Sequence, residues 1–311
     1  MGKTAFIFPG QGSQYIGMAK SFYDTCDETK EIFRIASEKA GYSVEELCFS
    51  ENERIHETKY TQPALFTACC GILKAVEKAG IHADMTAGLS LGEYSALVAA
   101  SMISFEDAFP VVCDRGMYME EAVPNGVGSM AAVISKKPLP IEAICEEICE
   151  KTSKIVRVAN YNCPGQQVIT GEKEAVALAG EKLLEAGAFR VVPLKVSGPF
   201  HSPMLKGAGE QLRSLLETIP FQKPSCTFVS NVTAQPVEEI SMAKDLLGRQ
   251  VYSSVMWQQS MEYMIAQGVD TFVEIGPGKT LTGFLKKIDR SVNVYHIETP
   301  KELEAFMDDR R

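Results

Sequence analysis

Ser90 lies in Gly88-Leu89-Ser90-Leu91-Gly92, a Gly-x-Ser-x-Gly pentapeptide between a short apolar run, Met85-Thr86-Ala87, and a stretch of small helix formers, Tyr94 to Ala100. Two glycines at this spacing allow a sharp strand-to-helix turn that pushes a serine hydroxyl outward and aims backbone amides at the same spot. The chemistry that suits such a turn is acyl transfer through a covalent serine ester. Read alone, the pentapeptide is equally a tight packing turn. A nucleophilic serine needs a base, and the chain has four histidines, His56, His82, His201 and His296. His201, in Val196-Ser197-Gly198-Pro199-Phe200-His201-Ser202-Pro203, is the candidate because a loop held by prolines can present an imidazole to a cleft. The competing reading is a structural loop contact. His56 and His82 fall in polar connections, and His296 falls in an apolar strand that suits a structural hydrogen bond.

No single Asp or Glu between Ser90 and His201 stands out as the orienting acid, and a backbone carbonyl can hold the histidine tautomer instead. Phe8-Pro9-Gly10-Gln11-Gly12-Ser13-Gln14 follows a strand directly, so the Gln11 amide and the Leu91 N–H could form an oxyanion hole. A dinucleotide-binding reading of this loop fails because its third glycine position is Tyr15. Arg115 sits among Val, Cys and Met in a helix opened by Ser104 and Asp107 as a capping box. A guanidinium there needs a carboxylate, either a protein acid such as Asp114 or an acid on the substrate. On the residues alone the salt bridge is the simpler reading.

The elements that must position these groups alternate. Ala5 to Phe8, Thr86 to Gly88, Thr227 to Ser230 and Thr271 to Ile275 read as short buried strands separated by helices, which predicts a mostly parallel sheet covered on both faces. From Gly128 the order changes to strand (129–134), helix (141–151), strand (155–160), turn at Cys163-Pro164-Gly165, strand (167–170), helix (173–186), strand (189–194). That βαββαβ order is ferredoxin-like. The expected fold is a discontinuous α/β-hydrolase-like domain, residues 1–126 and 197–311, carrying a small ferredoxin-like subdomain, residues 127–196, with the ligand cleft between them.

Composition narrows the function class. Of 311 residues, 45% are hydrophobic and 23% charged, and no apolar stretch approaches the roughly 18 residues of a membrane helix. The formal charge of −9, with scattered basic residues, argues against nucleic acid. Nine cysteines without a Cys-x-x-Cys read as reduced thiols, and the isolated histidines predict no metal site. A strand at the N-terminus, without an export signal, predicts a cytoplasmic protein.

Six segments in this order, Gly10 to Gln14, Gly88 to Ala96, Arg115-Gly116, Ala159 to Gln166, Gly198 to Ser202 and Glu274 to Gly278, strongly resemble the malonyl-CoA:acyl carrier protein transacylases, an acyltransferase family shared with polyketide synthases. The resemblance covers nearly the whole chain. It implies a Ser90 nucleophile, a His201 base, an oxyanion hole from Gln11 and Leu91, and Arg115 on the free malonyl carboxylate, which reverses the salt-bridge reading. It further implies that the Gln250 and Asn231 regions orient His201 through backbone carbonyls, and that Asn160 and Asn162 lie near the thioester entrance. Phe200 resembles the malonyl-type pattern, its bulk crowding a branched acyl chain. Leu89 stands where relatives usually carry histidine, which removes a polar neighbour beside the acyl site and bears on acyl selectivity but leaves the general base; Ser254 and Met256 depart from a common proline and a polar or basic residue, and there only local effects are expected. The implied partners are malonyl-CoA as substrate and acyl carrier protein, which brings its own phosphopantetheine, so no cofactor is bound permanently. A basic rim from Lys195, Lys206, Lys286, Lys287 or Arg290 would receive the carrier, and the chain is expected to be a monomer. The rival readings are a polyketide acyltransferase acting in trans, a serine hydrolase, and an inactive carrier-protein-binding subunit.

Overall fold

β1 (Lys3–Phe8) is apolar almost throughout, and a strand of that kind must be covered on both faces. In the computed structural model, which describes residues 2–310, Phe6 and Phe8 enter one core while Ala5 and Ile7 enter another on the opposite face. The remaining strands are β2 (Met85–Gly88), β3 (Gly128–Ile134), β4 (Val156–Cys163), β5 (Gln166–Glu172), β6 (Arg190–Pro193), β7 (Thr227–Phe228), β8 (Val269–Ile275) and β9 (Asn293–Ile297). One sheet has the order β7-β2-β1-β8-β9, and every pairing in it is parallel. With β1 central and β2 beside it, Phe8 pairs with Gly88, so the loops after both strands meet at one sheet edge. β7 is shorter than the expected Thr227 to Ser230, because Val229 bridges to Pro236 and the Ser230 N–H turns back to Gln235 O.

The second sheet, drawn from residues 128–193, is antiparallel in the order β4-β5-β3-β6, the ferredoxin-like arrangement. Ala131, Val133, Val158 and Ile169 pack on the helices Ile141–Thr152 and Lys173–Glu185. Met130, Ala132 and Val168, on the opposite face, line a cavity shared with the parallel-sheet part. Strict alternation would send the even-numbered Asn160 and Asn162 into the same core as Val156 and Val158. A bulge between Val158 and Asn160 reverses the parity, so Asn160 pairs with Val168 and both asparagines line the cavity. The bulged strand also pairs with the other part of the chain, through Val255 N–H to Ala159 O and Tyr161 N–H to Val255 O.

Two long helices frame the cleft. Thr58–Lys78 is buried along most of its length, and Phe105–Glu121 starts where the Ser104 hydroxyl accepts from Asp107 N–H at 3.0 Å. Among the described residues no helix is long and apolar enough to cross a membrane.

Candidate active site

The elbow is built by close approach. A Cβ on Gly88 would lie 1.9 Å from the Gly92 carbonyl carbon, and one on Gly92 would lie 2.2 Å from Phe8 O. No side chain fits at either position, so the turn between β2 and the helix Gly92–Ala99 folds flat against the end of β1. Ser90 is left at φ 53°, a conformation that a non-glycine residue keeps only when its surroundings over-determine it. They do so here through Asn231, whose Oδ1 accepts from Ser90 N–H at 2.7 Å while its Nδ2 donates to Gly88 O at 2.7 Å.

His201, also at positive φ (60°), meets the serine with Nε2 2.8 Å from Ser90 Oγ. Its Nδ1 lies 2.8 Å from Gln250 O, at the end of the helix Ile240–Gln250. A carbonyl can only accept, so Nδ1 carries the proton and Nε2 offers its lone pair to the serine hydroxyl. Burial foremost, with the Arg115 charge adding, pushes the imidazole down to about 4, against the Gln250 hydrogen bond, so it is neutral at physiological pH. The expectation for Asn231 needs correction. Its carbonyl accepts from Met256 N–H and orients no histidine, because the side chain is turned to the elbow instead.

Arg115 reaches the same point from the helix Phe105–Glu121 and is 1% exposed. Its Nη1 donates to Gln62 Oε1 at 2.6 Å, and its Nη2 to Gln250 Oε1 at 2.9 Å and Ser90 Oγ at 3.3 Å. Asp114 is not its partner; one residue along a helix is a rotation of about 100°, which turns that carboxylate away. Among the described residues no carboxylate lies within salt-bridge distance of Arg115, and its Nε has no acceptor. A buried guanidinium held by two carboxamides is poised for an anion that the protein itself does not supply.

These groups open onto a cavity of about 210 Å³, lined by Leu89, Met130, Val168, Leu194 and Phe284 among others. Gln11, Leu91, Asn160, Asn162 and Phe200 line it too. Neither the Gln11 nor the Leu91 backbone N–H has a hydrogen-bond partner among the described residues, while the Gln11 side chain donates to Thr58 Oγ1 at 3.1 Å. His296 lies elsewhere, bonded to Gly276 O and Glu302. Sequence reading missed Gln62, Glu93, Met119 and Phe284. A glutamine directly before the apolar run Pro63-Ala64-Leu65-Phe66 was the available signal for Gln62, and a glutamate directly after the elbow was the signal for Glu93. Among the described residues no cluster of potential ligands could hold a metal ion.

Comparison with known proteins places this geometry in a family context. The acyl transferase domain family matches residues 5–299. Over 305 residues, 98% of this chain and 96% of the other, the sequence is 42% identical to the malonyl CoA-acyl carrier protein transacylase of Bacillus subtilis. The structure resembles that of malonyl CoA-acyl carrier protein transacylase from Clostridium perfringens, with a TM-score of 0.95 at 44% identity, covering 99% of this chain and 97% of that one. It is similar also to a malonyl-transacylase solved in complex with its type II PKS acyl-carrier protein (TM-score 0.95, 37% identity, 99% of each chain).

Proposed function

The chain belongs to the acyl transferase domain family, and from that premise we propose that it carries a malonyl group from malonyl-CoA to the phosphopantetheine thiol of acyl carrier protein, supplying fatty acid synthesis. The observation that carries the reading is Arg115, a buried guanidinium without a protein carboxylate, 3.3 Å from the Ser90 hydroxyl. A malonyl group esterified to Ser90 ends in a free carboxylate of the kind this guanidinium lacks.

His201 Nε2 takes the Ser90 proton as Oγ bonds to the thioester carbonyl carbon. The oxyanion so formed is held by the Gln11 and Leu91 N–H groups, each such donor being worth about 3 kcal/mol of barrier. Collapse breaks the carbon–sulfur bond, and coenzyme A leaves with the proton from His201. The carrier thiol then enters, gives its proton to His201, and takes the malonyl group by the reverse sequence. Histidine held by a carbonyl rather than a carboxylate suffices because a thiol is a good leaving group. Phe200 borders the acyl end, and Asn160 and Asn162 border the path of the pantetheine arm. The two parts of the chain, 1–126 with 197–311 and 127–196, act as the walls of this cleft. The chemistry needs no resident cofactor, and a monomer is part of the same proposal. All nine cysteines are free thiols, which suits the cytoplasm.

Intact-protein mass after brief incubation with malonyl-CoA tests the reading. Wild type should gain one malonyl group and lose it to added acyl carrier protein, and Ser90→Ala should gain none. An adduct released to water alone would mark a hydrolase, and no adduct would mark a carrier-binding subunit.

A further inference from the structure

Glu93 has no role in the mechanism above, yet it is a carboxylate in the first turn of the elbow helix and only 1% exposed. A buried charge must be paired or hydrogen-bonded. Glu93 Oε1 accepts from Asn231 N–H at 2.5 Å, and Oε2 accepts from Gln250 Nε2 at 2.6 Å. The second hydrogen of that same Nε2 goes to Ser90 O at 2.7 Å, which leaves Gln250 Oε1 to face Arg115 Nη2. One carboxamide thus stands between the buried anion and the buried cation. Asn231 and Gln250 are the residues that hold Ser90 N–H and His201 Nδ1, so Glu93 reaches both.

We propose that Glu93 is a positioning residue for acyl recognition, the counter-charge of Arg115 delivered through the Gln250 carboxamide rather than by direct contact. A direct salt bridge would neutralise Arg115 but occupy the donors that a substrate carboxylate needs. Placing the carboxylate one amide away balances the charge of the empty site and leaves the guanidinium open beside Ser90. The inference rests on malonyl transfer through Ser90.

The arrangement couples acyl group to proton. A malonyl carboxylate pairing with Arg115 is a second anion in the same buried site and removes the charge that favoured ionised Glu93, so Glu93 shifts toward its acid form. Burial already raises Glu93 to about 7, against the hydrogen bonds from Asn231 and Gln250 and the Arg115 charge. The other titratable neighbours are Tyr94 on its own helix, which stays protonated, and His201 beyond the Gln250 backbone, which serves every acyl donor alike. By linkage, protonating Glu93 must favour malonyl over acetyl.

The test measures kcat/KM for malonyl-CoA and acetyl-CoA across pH in wild type and Glu93→Gln, taking the ratio so that His201 cancels. In wild type the malonyl-to-acetyl ratio should rise about threefold or more as pH falls from about 8 to about 6, and in E93Q, which cannot titrate, it should be flat. E93D, which keeps a carboxylate, should recover the slope. A flat wild-type ratio, or an E93Q ratio that follows wild type, overturns the proposal. If E93Q does not fold, proton uptake by wild type near pH 7 decides: uptake on malonylation that exceeds uptake on acetylation supports it, and equal uptake overturns it. A wild type that is not malonylated on Ser90 overturns the underlying reading instead, and with it this one.

Discussion

At the scale of single residues, the site works by withholding partners. His201 lacks a carboxylate, and Arg115 lacks one too. Arg115→Ala should lower kcat/KM for malonyl-CoA about 10- to 100-fold relative to acetyl-CoA, the worth of a charged hydrogen-bonded pair; equal losses for both donors would remove Arg115 from acyl recognition. Burial of His201 has two consequences of defined sign. With acetyl-CoA, which does not engage Arg115, the acid limb of Ser90 acylation should lie well below the ordinary histidine value, since the base remains neutral down to about 4. For stability, a depressed histidine means that the unfolded chain binds more protons than the native one between about 4 and 6.5. The contribution is therefore fully present above about 6.5 and lost as pH falls toward about 4, about 3 kcal/mol in all. Urea unfolding of wild type and H201N should show the difference as a pH slope that the variant lacks.

At the scale of elements, the elbow is a wedge rather than a loop. Gly92 faces Phe8 O, and its amide donates to Leu89 O at 2.9 Å, so the turn is pinned between its own helix and the end of β1. In Gly92→Ala the new methyl meets backbone, which cannot rotate away, and the element must slide. We expect a stability loss of about 1–3 kcal/mol, with a larger loss of Ser90 acylation, because the 2.8 Å contact to His201 comes from a different element that does not move with it. Melting temperature and burst amplitude measured together check this; a destabilised variant with an intact burst would refute it. The bulge in β4 works at the same scale. One extra residue converts a strand that packs the small core into one that turns Asn160 and Asn162 toward the cleft.

At the scale of the whole molecule, the cavity mouth and the charge distribution bear on the carrier. Lys195, Lys206, Lys286, Lys287 and Arg290 are all exposed. The helix Thr280–Ile288 turns Phe284 to the cavity and Lys286 and Lys287 to solvent, and Lys287 Nζ lies 3.5 Å from Gln166, which also lines the cavity. On a chain of net charge −9, exposed cations beside the cavity, Lys287 and its neighbour Lys286, are the groups that would steer an acidic carrier to this face. Transfer to acyl carrier protein should slow as salt rises, and Lys286→Glu with Lys287→Glu should raise its KM about tenfold and flatten the salt dependence. Salt-independent transfer would mean that the carrier docks without electrostatic guidance.

Local constraints are what the sequence by itself determined. The elbow glycines were legible because the need for no side chain is a property of the turn, and the βαββαβ order was legible because apolar periodicity follows each element's own burial. His201 stood out because so few histidines compete with it. Tertiary structure decided the rest, for reasons no spacing encodes. Every residue has a carbonyl, so of the two that the resemblance implies, Gln250 and Asn231, it took the docked helix Ile240–Gln250 to show that Gln250 alone orients His201. Asn231 serves the elbow through its side chain because the bend after β7 aims it at Ser90. Gln62, from a helix that reads as apolar core, and Glu93, from a helix that reads as packing, became polar partners only when the cleft brought Arg115 and Gln250 beside them. A group's type is written in the chain, but its partner across the cleft is set by where the fold brings distant segments together.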